Sequence, residues 1–144
     1  MKYLLMLVTF LAVAVGSVVA QSPTVTYVDR EKVATALANG GGLVTAPNLT
    51  VSGNHRAVPG QVEVHDKETD IFYVVDGEAT FVTGGKMIGG KLARPNQWLG
   101  TSIEGGETRQ LKKGDFIVIP AGVPHWFKEV PQSVNYYVVK SIRP

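Results

Sequence analysis

Apolar positions along this chain fall into short runs separated by Gly, Pro, Asp and Asn. The runs are Leu43–Ala46, Leu49–Ser52, Gln61–His65, Ile71–Val75, Ala79–Thr83, Glu107–Leu111, Phe116–Ile119, His125–Lys128 and Ser133–Val139. Runs this short, rich in β-branched and aromatic residues, predict strands. One segment has helical spacing instead. Asp29 is placed as an N-cap, Val33, Ala34 and Leu37 share a face, and Asn39-Gly40-Gly41-Gly42 supplies the stop. Gln21–Val28 ahead of it reads as a short extended lead-in. Many short strands and a single helix predict an all-β sandwich or barrel, not a βαβ sheet.

Within Ile71–Val75 and Phe116–Ile119 the alternation disappears and both faces are apolar. Such strands are buried on both sides, as when a barrel's outer face packs on the helix or on a second subunit, so a homodimer is expected. Asp76-Gly77 reads as a hairpin turn. The stretch Gly84–Gly106 is different: it is rich in glycine, poor in strand formers, and contains Lys86, Lys91, Arg94 and Trp98. An insertion of that length is expected to be either a lid over a site or a floppy hairpin.

The amino terminus carries a separate pattern. Lys2 precedes a run from Leu4 to Val15 that is apolar but for Thr9, and Val18-Val19-Ala20 offers a small-residue cleavage site before Gln21. This predicts a cleaved signal peptide over 1–20 and a secreted or periplasmic protein, with no membrane attachment after cleavage. A retained anchor is the weaker reading, because no positive flank follows the run. The remaining chain divides into the lead-in and helix, 21–42, and a barrel, 43–144.

Composition narrows the function classes. The chain has 144 residues, 44% hydrophobic and 18% charged, with a formal net charge of +2 and no cysteine. That suits one domain with a true core and excludes a disordered chain. Charges of both signs are interspersed and no basic stripe forms, so nucleic acid is not an expected partner. Without cysteine there is no disulfide scaffold, and stability must come from packing. Nothing resembles a nucleophilic serine site, a phosphate loop or a redox-cofactor motif.

The candidate chemistry lies with three histidines and nearby carboxylates. Glu63 and His65 are two residues apart, so both project from one face of a strand. Asp70 follows across the polar turn Asp66-Lys67-Glu68-Thr69, and His125 heads a second apolar strand. A lone histidine there reads as a hydrogen-bonded core residue; the strand-borne Glu-x-His pair argues for more. Carboxylates pointing into one barrel mouth without a cation would repel, and one would take up a proton. His55, in Ser52-Gly-Asn-His-Arg56, lies just before that strand. It reads either as an acid–base group lining the pocket or as a loop histidine near the surface.

From Gly60 to Glu129 the chain resembles a small, single-domain cupin. Glu63-x-His65, four residues, Asp70, six residues, Gly77 keeps the spacing of the family's first motif from its first ligand position onward. Gly114, five residues, Pro120-Ala-Gly122, two residues, His125 matches its second motif throughout. Three departures stand out. Glu63 occupies a histidine position, Asp70 a glutamate position, and Glu129 replaces an asparagine that can follow the second histidine.

The resemblance implies a double-stranded β-helix (jelly-roll) barrel with Glu63, His65, Asp70 and His125 as ligands to one divalent metal ion. Two imidazoles with two carboxylates balance a dication and suit iron, manganese, nickel or zinc. Glu63 is alternatively a general base beside a three-ligand site, and Glu63 and His55 are the candidate catalytic groups. The family includes dioxygenases, isomerases, lyases and plain ligand-binding barrels. The expected function is therefore metal-dependent chemistry on a small organic molecule, with non-catalytic binding of a small polar or sugar-like ligand as the alternative. A degenerate barrel, with Glu63 paired with a lysine or arginine in place of metal, is the structural reading.

Overall fold

The computed structural model describes residues 24–143, so the expected leader over 1–20 lies outside the described residues. Helix α1 (Arg30–Asn39) begins where Asp29 caps it, the Lys32 backbone amide donating to Asp29 Oδ1 at 2.8 Å. Strands β1 (Gly41–Ala46), β2 (Leu49–Arg56), β3 (Val62–His65) and β4 (Glu68–Thr83) follow. Then come β5 (Lys86–Ile88), β6 (Lys91–Arg94), β7 (Gln97–Gly100) and β8 (Ser102–Glu104). The chain ends in β9 (Glu107–Lys112), β10 (Phe116–Ile119), β11 (His125–Glu129) and β12 (Val134–Ile142). All pairings are antiparallel. The result is the expected class, an all-β jelly-roll barrel with one short helix.

Strand β4 joins the two sides of the barrel. Its first part lies between β12 and β10 on a sheet that continues through β2 to β1; its last part pairs with β9 and β11, followed by β3, β7 and β6. The expected hairpin at Asp76-Gly77 is not there. The chain runs straight on, with a register slip against β12 between Asn135 and Tyr136. Gly77 has φ 81°, and a Cβ on it would sit 2.0 Å from the Ser133 carbonyl oxygen. A glycine with positive φ serves a β-bulge as well as a turn, and only the partner strand tells the two apart.

The stretch Gly84–Gly106 is also not a loose insertion. It folds as β5 to β8, with β5 paired to β8, while β7 extends the sheet beside β3 and carries β6 on its other edge.

The barrel interior is aromatic at its centre. Phe81 is fully buried, its ring 4.6 Å from that of Phe127, which lies 5.0 Å from Tyr136 and stacks on Phe72 at 5.9 Å. Burying each such side chain contributes roughly 1.5–3 kcal/mol. The outer face is less complete. Helix α1 packs on β2, but Tyr73, Phe116 and Val118 remain exposed. The full covering expected of Phe116–Ile119 is thus not met within one chain.

Candidate metal centre

Strand register brings the expected ligands together. Glu63 on β3 lies directly opposite His125 on β11, and Asp70 on β4 lies opposite Lys140 on β12. The second-motif turn is tied to the first motif: the Gly122 amide donates to the His65 carbonyl at 2.8 Å. His65 Nε2 is 3.4 Å from Glu63 Oε2 and 3.4 Å from Asp70 Oδ2, and Asp70 Oδ2 is 3.6 Å from His125 Nε2. Ligand atoms about 2.1 Å from a common ion are spaced at about 3.4 Å on a tetrahedron. Two sets of three donors, Glu63–His65–His125 and His65–Glu68–Asp70, each lie close enough to hold an ion, and they share His65; Glu68 is the donor the sequence reading left out.

The far side of each imidazole supports the fit. His125 Nδ1 lies 3.1 Å from the Val123 carbonyl oxygen. His65 Nδ1 faces Glu68 Oε2 at 3.4 Å, short of hydrogen-bond geometry. The oxygens behind Nδ1 leave both Nε2 atoms facing the same cluster, that of His125 with its lone pair free and that of His65 once its proton is lost. Glu63 is held from the β7 side, Gln97 Nε2 donating to Glu63 Oε2 at 3.2 Å.

Lys140 is the addition the sequence did not announce. Its Nζ donates to Asp70 Oδ1 at 2.7 Å and Oδ2 at 3.0 Å, and lies 3.0 Å from His65 Nε2. Glu68 Oε2 is 2.9 Å away, an ion pair not aligned as a hydrogen bond. The lysine alternative therefore has a real counterpart, though the lysine meets Asp70 and Glu68.

These contacts set the charge states. Burial works against protonation of His65, but hydrogen bonds to Asp70 and Glu63 outweigh it and raise the imidazolium pKa to about 9. Burial dominates at His125 and pushes its pKa down, leaving a neutral ring. Burial works to raise both Asp70 and Glu63, yet the facing His65, with Lys140 adding to it, brings both below the ordinary carboxylate range. The cluster holds two carboxylates, a neutral imidazole and a proton on His65 that a metal ion would have to displace.

A cavity of about 140 Å³ opens beside the cluster, with Arg56, Gln61, Glu63, Asp70, His125 and Lys140 on its polar wall and Phe72, Phe127 and Tyr136 on its apolar wall. His55 does not belong to it. Asn54 and Arg56 line the cavity, whereas His55 between them is exposed, its Nδ1 2.6 Å from Asn135 Oδ1. Alternation along β2 sends it to the other face, so its placement favours the surface reading.

Residues 24–144 match the cupin family, and the chain belongs to it. No curated protein matches the chain. Among solved structures, a Bacillus halodurans protein aligns with a TM-score of 0.52 at 17% identity, over 72% of this chain and 69% of that one. A conserved Streptococcus pyogenes protein of unknown function gives 0.50 at 16%, over 72% of each. A Bacteroides fragilis cupin protein gives 0.47 at 15%, over 67% and 68%. At these identities the likeness concerns the fold alone.

Proposed function

We propose that this cupin holds one divalent metal ion on Glu63, His65, Asp70 and His125 and acts on a small organic molecule in the adjoining cavity. The observation that carries the reading is the pair of imidazoles, each with an oxygen behind Nδ1 and with Nε2 turned toward Asp70 Oδ2. A divalent ion polarises a bound carbonyl or hydroxyl oxygen and stabilises negative charge developing on it. Where His65, Asp70 and His125 alone hold the ion, Glu63, partly exposed toward the cavity and steadied by Gln97, is instead the chain's own group for accepting a proton from a ligand. Dioxygenase, isomerase and lyase chemistry all suit such a centre.

A second reading is a non-catalytic barrel for a small polar ligand, and Lys140 favours it. An ammonium bonded to both Asp70 oxygens already neutralises part of the site, as a metal would. The leader pattern over 1–20 supports a secreted or periplasmic location, and exposed Tyr73, Phe116 and Val118 support a homodimer across that face.

The test is elemental mass spectrometry on untagged Gln21–Pro144 beside the His125→Ala variant. The enzyme reading expects close to one ion of iron, manganese, nickel or zinc per chain, lost in the variant. No bound ion after each metal is added back would leave the binding barrel.

A further inference from the structure

Arg56 is the cation of the cavity with no acid to answer it. Among the described residues it forms no ion pair, whereas Lys140 in the same cavity is matched by Asp70 and Glu68. The guanidinium is nonetheless held in place. Its Cζ sits 5.0 Å over the Phe127 ring, and Gly60 packs against its other parts so closely that a Cβ there would lie 2.8 Å from Nη1. Its Nε is buried without a hydrogen-bond partner. A buried N–H left without an acceptor is costly unless a ligand supplies one, and the half-buried fork keeps its other donors open to the cavity.

We propose that Arg56 is the anchor for a carboxylate group, so that the cavity takes a small organic carboxylate whose far end reaches the His65–His125 cluster. The inference rests on the reading of that cluster as a metal centre, which the far end of the ligand would reach across the same cavity. The planar fork of a guanidinium matches a carboxylate with two parallel hydrogen bonds, which a hydroxyl or an amide cannot reproduce with charge. The cavity, about 140 Å³, suits a small carboxylate such as acetate or lactate.

The experiment is titration calorimetry of acetate and lactate, each against its neutral amide, acetamide or lactamide. It is run on the metal-loaded and the metal-free protein. Arg56→Gln and Arg56→Lys are titrated in parallel, with thermal unfolding and metal content as controls. The expected result is that the carboxylates bind at least about tenfold more tightly than their amides. Arg56→Gln removes that preference, Arg56→Lys keeps part of it, and metal content is unchanged in both variants. The amide comparison needs only the unmodified protein, so the test survives a variant that fails to fold. Should metal bind while carboxylate and amide bind alike, or while Arg56→Gln leaves the preference intact, the anchor is overturned and the metal centre stands. Should no metal bind, the metal centre falls, and the metal-free titrations decide Arg56 separately: an Arg56-dependent preference supports the anchor and its absence overturns it.

Discussion

Two neighbouring parts of the barrel interior, built on the same strands, meet burial in different ways. Around Phe81 the interior is a cluster of rings, Phe72, Phe127 and Tyr136, held by ring-to-ring packing. Two residues from Phe72 along β4, Asp70 begins a cluster of carboxylates and imidazoles steadied by Lys140 and by a proton on His65. Packing in the first region depends on volume and area alone. In the second it depends on the protonation of His65 and on the Lys140 ammonium, so its stability is conditional on pH. Placing the two side by side gives the conditional site a rigid backing: the His125 ring lies 6.3 Å from that of Phe81 and 6.4 Å from that of Phe72.

The difference is broken most severely from the aromatic side. Phe81→Ala is expected to cost about 4–5 kcal/mol in urea unfolding, with and without metal alike, because it removes a fully buried ring and leaves a cavity. Lys140→Met sharpens the contrast by acting with opposite signs. It leaves the nearly buried Asp70 carboxylate short of its ammonium and is expected to destabilise the metal-free protein by about 3 kcal/mol. The same change vacates the space beside Asp70 and His65, so calorimetry should show metal binding strengthened by about tenfold rather than lost.

Varying pH separates the two regions without a mutation. The His65 pKa is raised from 6.5 to about 9 on folding, so its stabilising contribution is complete below pH 6.5 and is lost as pH rises through 9. Chemical unfolding of metal-free protein should therefore lose about 2 kcal/mol between pH 6.5 and 9. Metal-loaded protein, with His65 already deprotonated, should show no such fall. Asp29→Ala gives the smallest effect. Losing the N-cap should cost about 1 kcal/mol in the same unfolding assay and leave metal affinity untouched, since α1 lies outside the cavity lining.

The sequence was most legible where the signal is local. The Asp29 cap, the glycine stop and the turn before His125 depend on a few adjacent residues, and they appear where their residue types put them. Pairing is not local, and it decided the rest. Asp76-Gly77 looks like a turn until β12 is seen running past it. The glycine-rich stretch looks loose until β7 is seen docked on β3, where Gln97 reaches Glu63. At the site, Glu63 and His65 reveal themselves by two-residue spacing, whereas Lys140 lies seventy positions beyond the Asp70 it faces. The one available hint was its parity with Tyr136 and Val138 at the end of an apolar strand. Arg56 carried a similar hint, sharing parity with Asn54 and Ser52.

The most direct measurement is X-ray absorption at the metal edge of protein reconstituted with one divalent ion, beside the His65→Ala and His125→Ala variants. A first shell with two imidazole nitrogens and carboxylate oxygens at about 2.0–2.2 Å, losing one imidazole in each variant, is the expected result. A shell of oxygens alone, or one unchanged by either substitution, would contradict the assignment of the His65–His125 cluster as a metal centre.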